Sequence, residues 1–467
     1  RLEYLESQNR SLSTQLSQQQ YYQASYGKAT MTDGVPTAPK KPASGDWKSG
    51  WNNGLEFQSP DKDFKVHIGG RTQVDAIFLN DRDNAFAGAG GVGAEDSVNF
   101  RRARLRAEGT IWGSIDYCAE YDFVNNANTN GGLQPSTENN VNHVTAPTDL
   151  WFTFRDVPVV GNVRVGNYKE PIGFEHLTSS RFLPFMERSF IQDLFTGPFN
   201  NGFTPGIGSY NTFDEEHGTW ALGFFKNTAN AFAYNTGDGE YAITGRTTYL
   251  PYVDEETHSL LHFGVSGSWR DPDQERIRYR TRASLRNGPG ALNPAIGDTG
   301  FYGADNQYLL GAEAVFQRDR FAVVSEWLGS WTDGSTSLGG VSVPTQSTVL
   351  VHGWHVDVMY FLTDDHLEYE AKNGVFGRMT PHDPARWKGE KRGYGAWQLL
   401  GRYAGTDLSN AGVNGGRLDD YTLGLNWFLN PNMKLQWNYV VTVVNNDIRG
   451  IDDGVITGFG MRLAHDF

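Results

Sequence analysis

The sequence has one cysteine, few prolines and no long apolar run. Its 467 residues include a single cysteine, Cys118, and 19 prolines, so an intrachain disulfide is excluded. A transmembrane helix needs about 20 consecutive apolar residues, and the apolar stretches here are fragments such as YVVTVV at residues 439–444. The sequence therefore excludes a helical membrane protein. No signal peptide pattern opens it, so any targeting segment is expected to have been removed or to lie upstream.

Aromatic residues and glycines are plentiful, and they are spread along the whole chain. There are 13 Trp, 21 Tyr, 28 Phe and 55 Gly. Strands that cross a bilayer between two aromatic girdles need such a composition. In a transmembrane β-barrel the hydrophobic residues alternate with polar ones, which explains how a membrane protein can lack long apolar runs.

The alternation is clearest in the stretch NFRRARLRAEG, residues 99–109. Arg102, Arg104 and Arg106 occupy every second position, with apolar residues between them. In an α-helix these positions scatter around the axis, whereas in a β-strand they form one row of arginines opposite an apolar surface. A soluble antiparallel sheet with one wet face could show the same pattern. The composition favours a strand that faces lipid on one side and water on the other.

The same alternation predicts sixteen strands, an even number as a closed up-and-down barrel requires. The chain is therefore predicted to be an all-β protein, a sixteen-stranded antiparallel transmembrane β-barrel over residues 64–467. The predicted strands are 64–78, 99–109, 114–123, 149–155, 162–169, 204–211, 219–227, 241–250, 260–270, 307–318, 321–331, 351–361, 396–406, 420–429, 433–444 and 455–467.

Two segments precede the predicted barrel. Residues 1–26 predict a short coiled-coil helix, because apolar residues and one asparagine follow a heptad spacing of 3 and 4. A lone amphipathic helix is the alternative, although so short a segment would be marginal by itself in water. Residues 27–63 are rich in glycine and proline and predict a linker. The residues of the coiled-coil seam are Leu2, Leu5, Asn9, Leu12 and Leu16.

Four motifs, in order along the chain, resemble the phosphate-selective porin O and P family. The resemblance implies a homotrimer of sixteen-stranded barrels in the bacterial outer membrane, with arginines lining the lumen, an inward-folded third loop as constriction, and no cofactor. The terminal Phe467 resembles the assembly signal of outer-membrane barrels. The coiled coil lies outside the resemblance and looks like a periplasmic extension. The motifs are FRRARL (100–105), VRVGNYKEPIGFEHLTSSRFLPFMERSF (163–190), SWRDPDQERIRYRTR (268–282) and GAWQLLGRYAGTDL with YTLGLNWFLNP (395–431).

The segment EHLTSSRFLPFMERSF, residues 175–190, matches the constriction loop of that family. Hydroxyl and guanidinium donors in a narrow, partly dehydrated throat can replace the water around an anion. The resemblance places Ser179, Ser180 and Arg188 at phosphate-binding positions, and His176 where strongly phosphate-selective members carry lysine. The alternative is that Arg188 pairs with a neighbouring glutamate and only braces the loop. The candidate anion-binding residues are Lys169, His176, Ser179, Ser180, Arg181 and Arg188.

Two rows of arginines are candidates for lining the lumen, and carboxylates share the face of the first row. Arginines on a narrow wall concentrate anions, whereas carboxylates on neighbouring strands would cancel much of that field. Both outcomes stay open, and the formal net charge of −14 does not decide between them, because acidic loops are screened over about 10 Å. The candidates are Arg71, Arg102, Arg104, Arg106, Arg276, Arg278, Arg280, Arg282, Glu108, Asp116, Glu120 and Asp122.

The sequence predicts an outer-membrane porin for passive diffusion of small hydrophilic solutes, favouring anions such as phosphate. The alternative is a non-selective porin that also tethers the outer membrane to periplasmic or cell-wall structures through its coiled coil. An enzyme is not indicated, because G-x-S-x-G, H-E-x-x-H and a glycine-rich phosphate loop are missing from the sequence. A metal site in HGWH is disfavoured, since His352 and His355 fall on opposite faces of a strand. Nucleic acid is not an expected partner.

Overall fold

A computed structural model shows a closed barrel of sixteen antiparallel strands. It describes residues 45–467 except 82, 84, 86–93, 125–144, 197–201, 227–239, 287–292, 389–391 and 446–452. The predicted fold class is confirmed, and each of the sixteen predicted segments overlaps a barrel strand. The coiled-coil segment, residues 1–26, lies outside the described residues. In the described part of the chain, no helix is long and apolar enough to cross a membrane.

The described helices and strands have the following bounds. The helical elements are α1 Phe174–Leu177, a π-helical turn Gln192–Thr196 and a 3-10 turn Asp273–Glu275. The strands are β1 Lys48–Trp51, β2 Leu55–Gln58, β3 Lys65–Asp81, β4 Ser97–Ile111, β5 Ile115–Asp122, β6 Ala146–Val157, β7 Gly161–Tyr168, β8 Thr204–Phe213, β9 Gly218–Lys226, β10 Tyr241–Asp254, β11 Ser259–Arg270, β12 Arg276–Ile277, β13 Arg280–Thr281, β14 Gly297–Asp298, β15 Tyr302–Gly303, β16 Asn306–Arg318, β17 Phe321–Ser335, β18 Ser347–Phe361, β19 Tyr369–Glu370, β20 Val375–Phe376, β21 Ala396–Asn410, β22 Val413–Asn430, β23 Met433–Asn445 and β24 Gly454–Asp466.

The barrel closes where the last strand, β24, pairs with the first barrel strand, β3. The pairing runs from Ile456 opposite Asp81 to Asp466 opposite Arg71. Beyond it, β2 pairs with the start of β3, and β1 pairs with β2. The sequence assigned residues 27–63 to a linker, and the described part of that segment contains this hairpin of β1 and β2.

Side chains alternate between the two surfaces of the barrel wall. Outward residues such as Phe78, Leu105 and Phe152 are about half exposed, whereas inward Arg71 and Asp75 are buried. This is the period of two that predicted the strands. Aromatic rings also stack on the outer face, and one example is Trp397 against Trp427 with ring centroids 4.9 Å apart. The outer surface is thus apolar and aromatic, and the lumen is polar.

A β-bulge interrupts the alternation in β4. Gln73 of β3 faces Arg102, and the next residue, Val74, faces Phe100, so Arg101 is the extra residue. Arg101 and Arg102 therefore both point into the lumen, because a bulge places two residues opposite one. The simple alternation of residues 99–109 missed Arg101.

Two long segments fold into the lumen from opposite ends of the barrel. Most connections are long at one end of the barrel, with the two-residue turn 411–412 between β21 and β22 as an exception, and most are short at the other, which is the arrangement of outer-membrane barrels. The third long loop follows β7, and its described residues 169–196 enter the lumen. One connection at the short-turn end is also long: residues 362–395, between β18 and β21, carry the small hairpin of β19 and β20. The sequence analysis did not predict this second inward segment.

Candidate functional site

The third loop, here called the constriction loop, crosses the lumen and is fastened to the far wall by hydrogen bonds to its backbone. Asn426 Nδ2 and Gln436 Nε2 donate to the carbonyl of Pro184 at 2.9 and 2.8 Å. Lys434 Nζ donates to the carbonyl of Leu183 at 2.8 Å. These donors lie on the inward faces of β22 and β23, so the alternation of those strands positions the loop.

Two glutamates of the constriction loop are held by arginines of the wall. Glu187 accepts from Arg101 at 2.8 and 2.9 Å and from Arg462 at 2.7 Å. Glu175 accepts from Arg402. Wall arginines thus form the direct ion pairs of these two glutamates, while the charges of Glu175 and Glu187 still raise the pKa of the loop residue Arg188.

The serines and Arg181 of the constriction loop lie against the wall that carries the first arginine row. Arg71 Nη1 donates to the Ser180 hydroxyl at 2.6 Å and lies 3.5 Å from that of Ser179. Arg181 lies 3.8 Å from Glu120. The structure thus brings three of the predicted loop residues together with Arg71 of the predicted lumen row.

Lys169, His176 and Arg188 gather around the C-terminal end of α1. Arg188 donates to the carbonyls of Glu175 and Thr178 at 2.8 and 2.6 Å, and Lys169 Nζ donates to the carbonyls of His176 and Thr178. The alternative pairing of Arg188 with a neighbouring glutamate carboxylate is not formed in the described structure, because the acceptors of Arg188 are backbone carbonyls. Among the described residues, no carboxylate oxygen lies within 4 Å of Lys169 or Arg188.

Burial lowers the pKa of all three groups, and charges within the cluster lower those of Lys169 and His176 further. Burial, followed by the charge of Arg188, lowers the pKa of Lys169 well below its ordinary value. Burial lowers the pKa of Arg188 to about 10, and burial with the charges of Lys169 and Arg188 lowers that of His176. A bound anion would relieve this repulsion, so the cluster is suited to hold one.

The first arginine row surrounds a buried carboxylate. Glu120 is fully buried, and its oxygens lie 2.6 Å from Arg71, 3.0 Å from Arg104 and 3.7 Å from Arg106. Arg71, Arg104 and Arg106 line the central cavity, whereas Glu120 is not among its lining residues. The carboxylate therefore lies behind the guanidinium groups, which form the surface of the cavity.

The remaining predicted residues of this wall take separate partners. Asp122 lies 2.7 Å from Arg104, and Glu108 lies 2.7 Å from Arg106. Arg102 donates to Gln73 at 2.7 Å. Asp116, by contrast, accepts from Thr110 beside the tight turn between β4 and β5.

The second predicted arginine row does not form one row on one strand. Its alternation is broken because β12 pairs with β15 while β13, which holds Arg280, pairs with β14. Arg276 and Arg278 stack on Phe301 with centroid distances of 4.7 and 5.3 Å. Arg282 binds Asp193 at 2.9 and 3.0 Å and is the member of the row that lines the cavity. The expectation of a continuous second ladder is therefore corrected.

The constriction loop and the wall enclose a cavity of about 680 Å³. Among the residues that the structure describes, eleven arginines and two lysines line it, against four carboxylates, those of Glu108, Asp122, Asp149 and Glu370. Sequence reasoning missed several of these cations, although the inward parity of β10 would have found Arg246. The lining cations are Arg71, Arg101, Arg102, Arg104, Arg106, Arg164, Arg181, Arg188, Arg246, Arg282, Arg286, Lys169 and Lys372.

Comparison with known proteins yields one family and several relatives. The family model described as phosphate-selective porin O and P matches residues 66–451. An uncharacterized protein of Caulobacter vibrioides is 28% identical over 88% of this chain and 75% of its own length. Porin O of Pseudomonas aeruginosa is 24% identical over 89% of this chain and 91% of its own. The outer membrane channel DcaP of Acinetobacter baumannii has a similar fold, with a TM-score of 0.50 and 12% identity over 88% of this chain and 99% of its own.

Proposed function

Because this chain belongs to the phosphate-selective porin O and P family and forms a sixteen-stranded barrel, it is an outer-membrane porin, and we propose that its pore favours small anions, phosphate among them, over cations. The family and the barrel indicate a channel rather than an enzyme. The end with the short turns is then the periplasmic end. The homotrimer stays a prediction. The periplasmic coiled coil also stays a prediction, because residues 1–44 lie outside the described residues.

One observation carries the proposed selectivity, namely the order of charges in the wall of the cavity. Glu120, Glu187 and Asp193 are buried behind the arginines that bind them, while guanidinium groups form the inner surface. A passing ion meets the cations first, and a narrow wall of one sign concentrates counter-ions. The buried carboxylates reduce the field at a distance, so we expect a moderate preference for anions.

Within this wall, Lys169 and Arg188 supply charge that no carboxylate within 4 Å offsets among the described residues. Together with His176, Ser179, Ser180 and Arg181 they form the proposed anion-binding residues of the constriction. Hydroxyl and guanidinium donors can replace part of the hydration shell of an oxyanion there. The alternative of a non-selective porin with a tethering role would rest on the coiled coil, which is outside the described residues.

The selectivity is tested by removing these two charges. We expect Lys169→Gln and Arg188→Gln each to lower the chloride-over-potassium permeability ratio, and the double variant to lower it further. The ratio comes from the reversal potential of purified protein in a planar bilayer with a KCl gradient. Arg417→Gln is the matched control, because Arg417, near the start of β22, is 66% exposed and binds Asp407 of β21. A native pore that prefers potassium would contradict the proposal.

The same ratio is expected to depend on pH through Lys169. Burial and the charge of Arg188 hold the pKa of Lys169 well below 10.5, and a lysine loses its charge as pH rises through its pKa. The preference for chloride should therefore fall with rising pH, starting well below pH 10.5. Lys169→Arg should flatten this fall below about pH 9, since a guanidinium is a stronger base than an ammonium and even the buried Arg188 has its pKa lowered only to about 10. Reversal potentials between pH 5 and pH 9 test this, and an unchanged fall in Lys169→Arg would assign it to another group.

A further inference from the structure

Arg164 is a cavity-lining arginine whose surroundings differ from those of the first row. Its guanidinium carbon lies 3.9 Å from the ring centroid of Trp151, 5.0 Å from that of Tyr210 and 5.6 Å from that of Tyr168. It donates to the Tyr210 hydroxyl and to Thr153 Oγ1, both at 3.0 Å. No carboxylate of the described residues lies within 4 Å of it. Aromatic rings thus take the place that carboxylates take around the other arginines.

The strands beside Arg164 make room for these rings by carrying glycine on their inner face. A Cβ at Gly208 would lie 2.6 Å from the Tyr168 hydroxyl, and one at Gly206 would lie 2.4 Å from the Phe225 ring. Tyr168 and Phe225 pack edge to face, with centroids 5.4 Å apart. The Tyr168 hydroxyl has no hydrogen-bond partner among the described residues, although the residue is 7% exposed. This part of the wall therefore forms a recess, which has an aromatic surface and contains the Tyr168 hydroxyl without a hydrogen-bond partner among the described residues.

The aromatic recess adjoins the cations of the constriction. Asp149 accepts from Trp151 Nε1 at 3.2 Å and from Arg106 at 3.1 Å, so it joins the recess to the arginine row. Lys169 follows Tyr168 directly in the chain. Trp151, Arg164, Tyr168 and Lys169 all line the same cavity of about 680 Å³, and ligand cavities typically measure about 300–1,000 Å³.

We propose that this aromatic recess, formed by Trp151, Arg164, Tyr168 and Tyr210, binds organic anions that carry an unsaturated ring. The ring stacks on the planar guanidinium, which itself lies over the Trp151 indole, and the carboxylate of the solute points to Lys169. Inorganic phosphate would leave this surface unused. The inference rests on the proposed preference for anions and names a class of solute within it.

The test compares two carboxylates of equal charge and similar size, benzoate and cyclohexanecarboxylate, as blockers of chloride current through the native pore. We expect benzoate to reach half-block at a roughly threefold to tenfold lower concentration, as one ring-stacking contact provides. Trp151→Leu and Arg164→Lys should each remove this difference. Trp437→Leu is the control, because Trp437 stacks on Trp397 on the outer face of the barrel.

The outcomes separate the two proposals. Equal block of the native pore by both carboxylates would overturn the recess as a ring-binding site, and this comparison needs no variant. A native pore without preference for chloride would overturn the proposed function. If Trp151→Leu does not fold, Arg164→Lys supplies the same comparison, because this variant keeps the positive charge. If benzoate still blocks Arg164→Lys at a lower concentration than cyclohexanecarboxylate, by the same factor as in the native pore, the inference is contradicted.

Discussion

Replacing Glu187 by glutamine is expected to loosen the constriction loop and to raise the single-channel conductance several-fold. The Glu187 carboxylate is buried and binds Arg101 and Arg462, which extend from two different strands of the wall. Removing one partner of a buried ion pair costs roughly 3–5 kcal/mol, and here the loss falls mainly on Arg101, because Arg462 keeps Asp75 at 2.7 Å. The loop then loses the ion pairs of Glu187, which attach it to the wall near its middle. Single-channel recordings in a planar bilayer measure the conductance and its fluctuations.

Asp364→Asn serves as the control for this prediction. Asp364 is 75% exposed and binds Arg320 at the periplasmic turn, so its loss should leave the conductance unchanged. The variant Glu187→Gln should also unfold at a lower temperature than the native protein. The unfolding temperature is measured by heating samples and following the change in their electrophoretic mobility. A conductance and an unfolding temperature equal to those of the native protein would show that Glu187 does not hold the loop.

Deleting residues 366–379, the inward part of the long periplasmic turn, is expected to open the other half of the pore. Phe376 packs edge to face on Phe174 of the constriction loop, with ring centroids 4.9 Å apart. The carbonyl of Gly374 accepts from Arg246 at 2.7 Å, and the Tyr369 hydroxyl lies 2.6 Å from His262. The turn therefore fills lumen between the constriction loop and β10. We expect a several-fold higher conductance with a weaker dependence on the identity of the anion.

The matched control for the deletion is Glu368→Gln within the same turn. Glu368 is 50% exposed, lies 3.5 Å from His366 and is not among the described residues that line the cavity, so its replacement should leave the turn in place and the conductance nearly unchanged. A deletion variant that inserts into bilayers with native conductance would show that the turn does not limit the flow of ions.

The strands were predictable from the sequence because a membrane barrel imposes one rule on each of them. Every second residue meets lipid and the others meet water, so alternation reappears in all sixteen segments. Arg101 escaped this reasoning, since the bulge at β4 shifts the parity by one residue. The doubled arginine in FRRARL is the signal that could have revealed it.

The site was less predictable, because its partners come from segments far apart in the chain. The wall residues Arg402 and Arg462 hold the loop glutamates, and only the closed barrel brings them near residues 175 and 187. The sequence of the inward turn, residues 362–395, shows no regular alternation of polar and apolar residues. The reason is that the turn contacts both polar and apolar groups inside the barrel. The second arginine row was misread for a related reason, because alternation over a few residues does not require a continuous strand.

The places of β2 and β24 along one edge of β3 have a consequence for the seam of the barrel. β2 pairs with Lys65–Ile68, and the Phe467 backbone exchanges hydrogen bonds with Gly70, so the two strands lie end to end along that edge. An unpaired strand edge presents backbone donors and acceptors with which another chain can pair. The amino-terminal hairpin therefore covers the part of β3 that the last strand does not reach, and it leaves that part of the seam closed to edge-to-edge association.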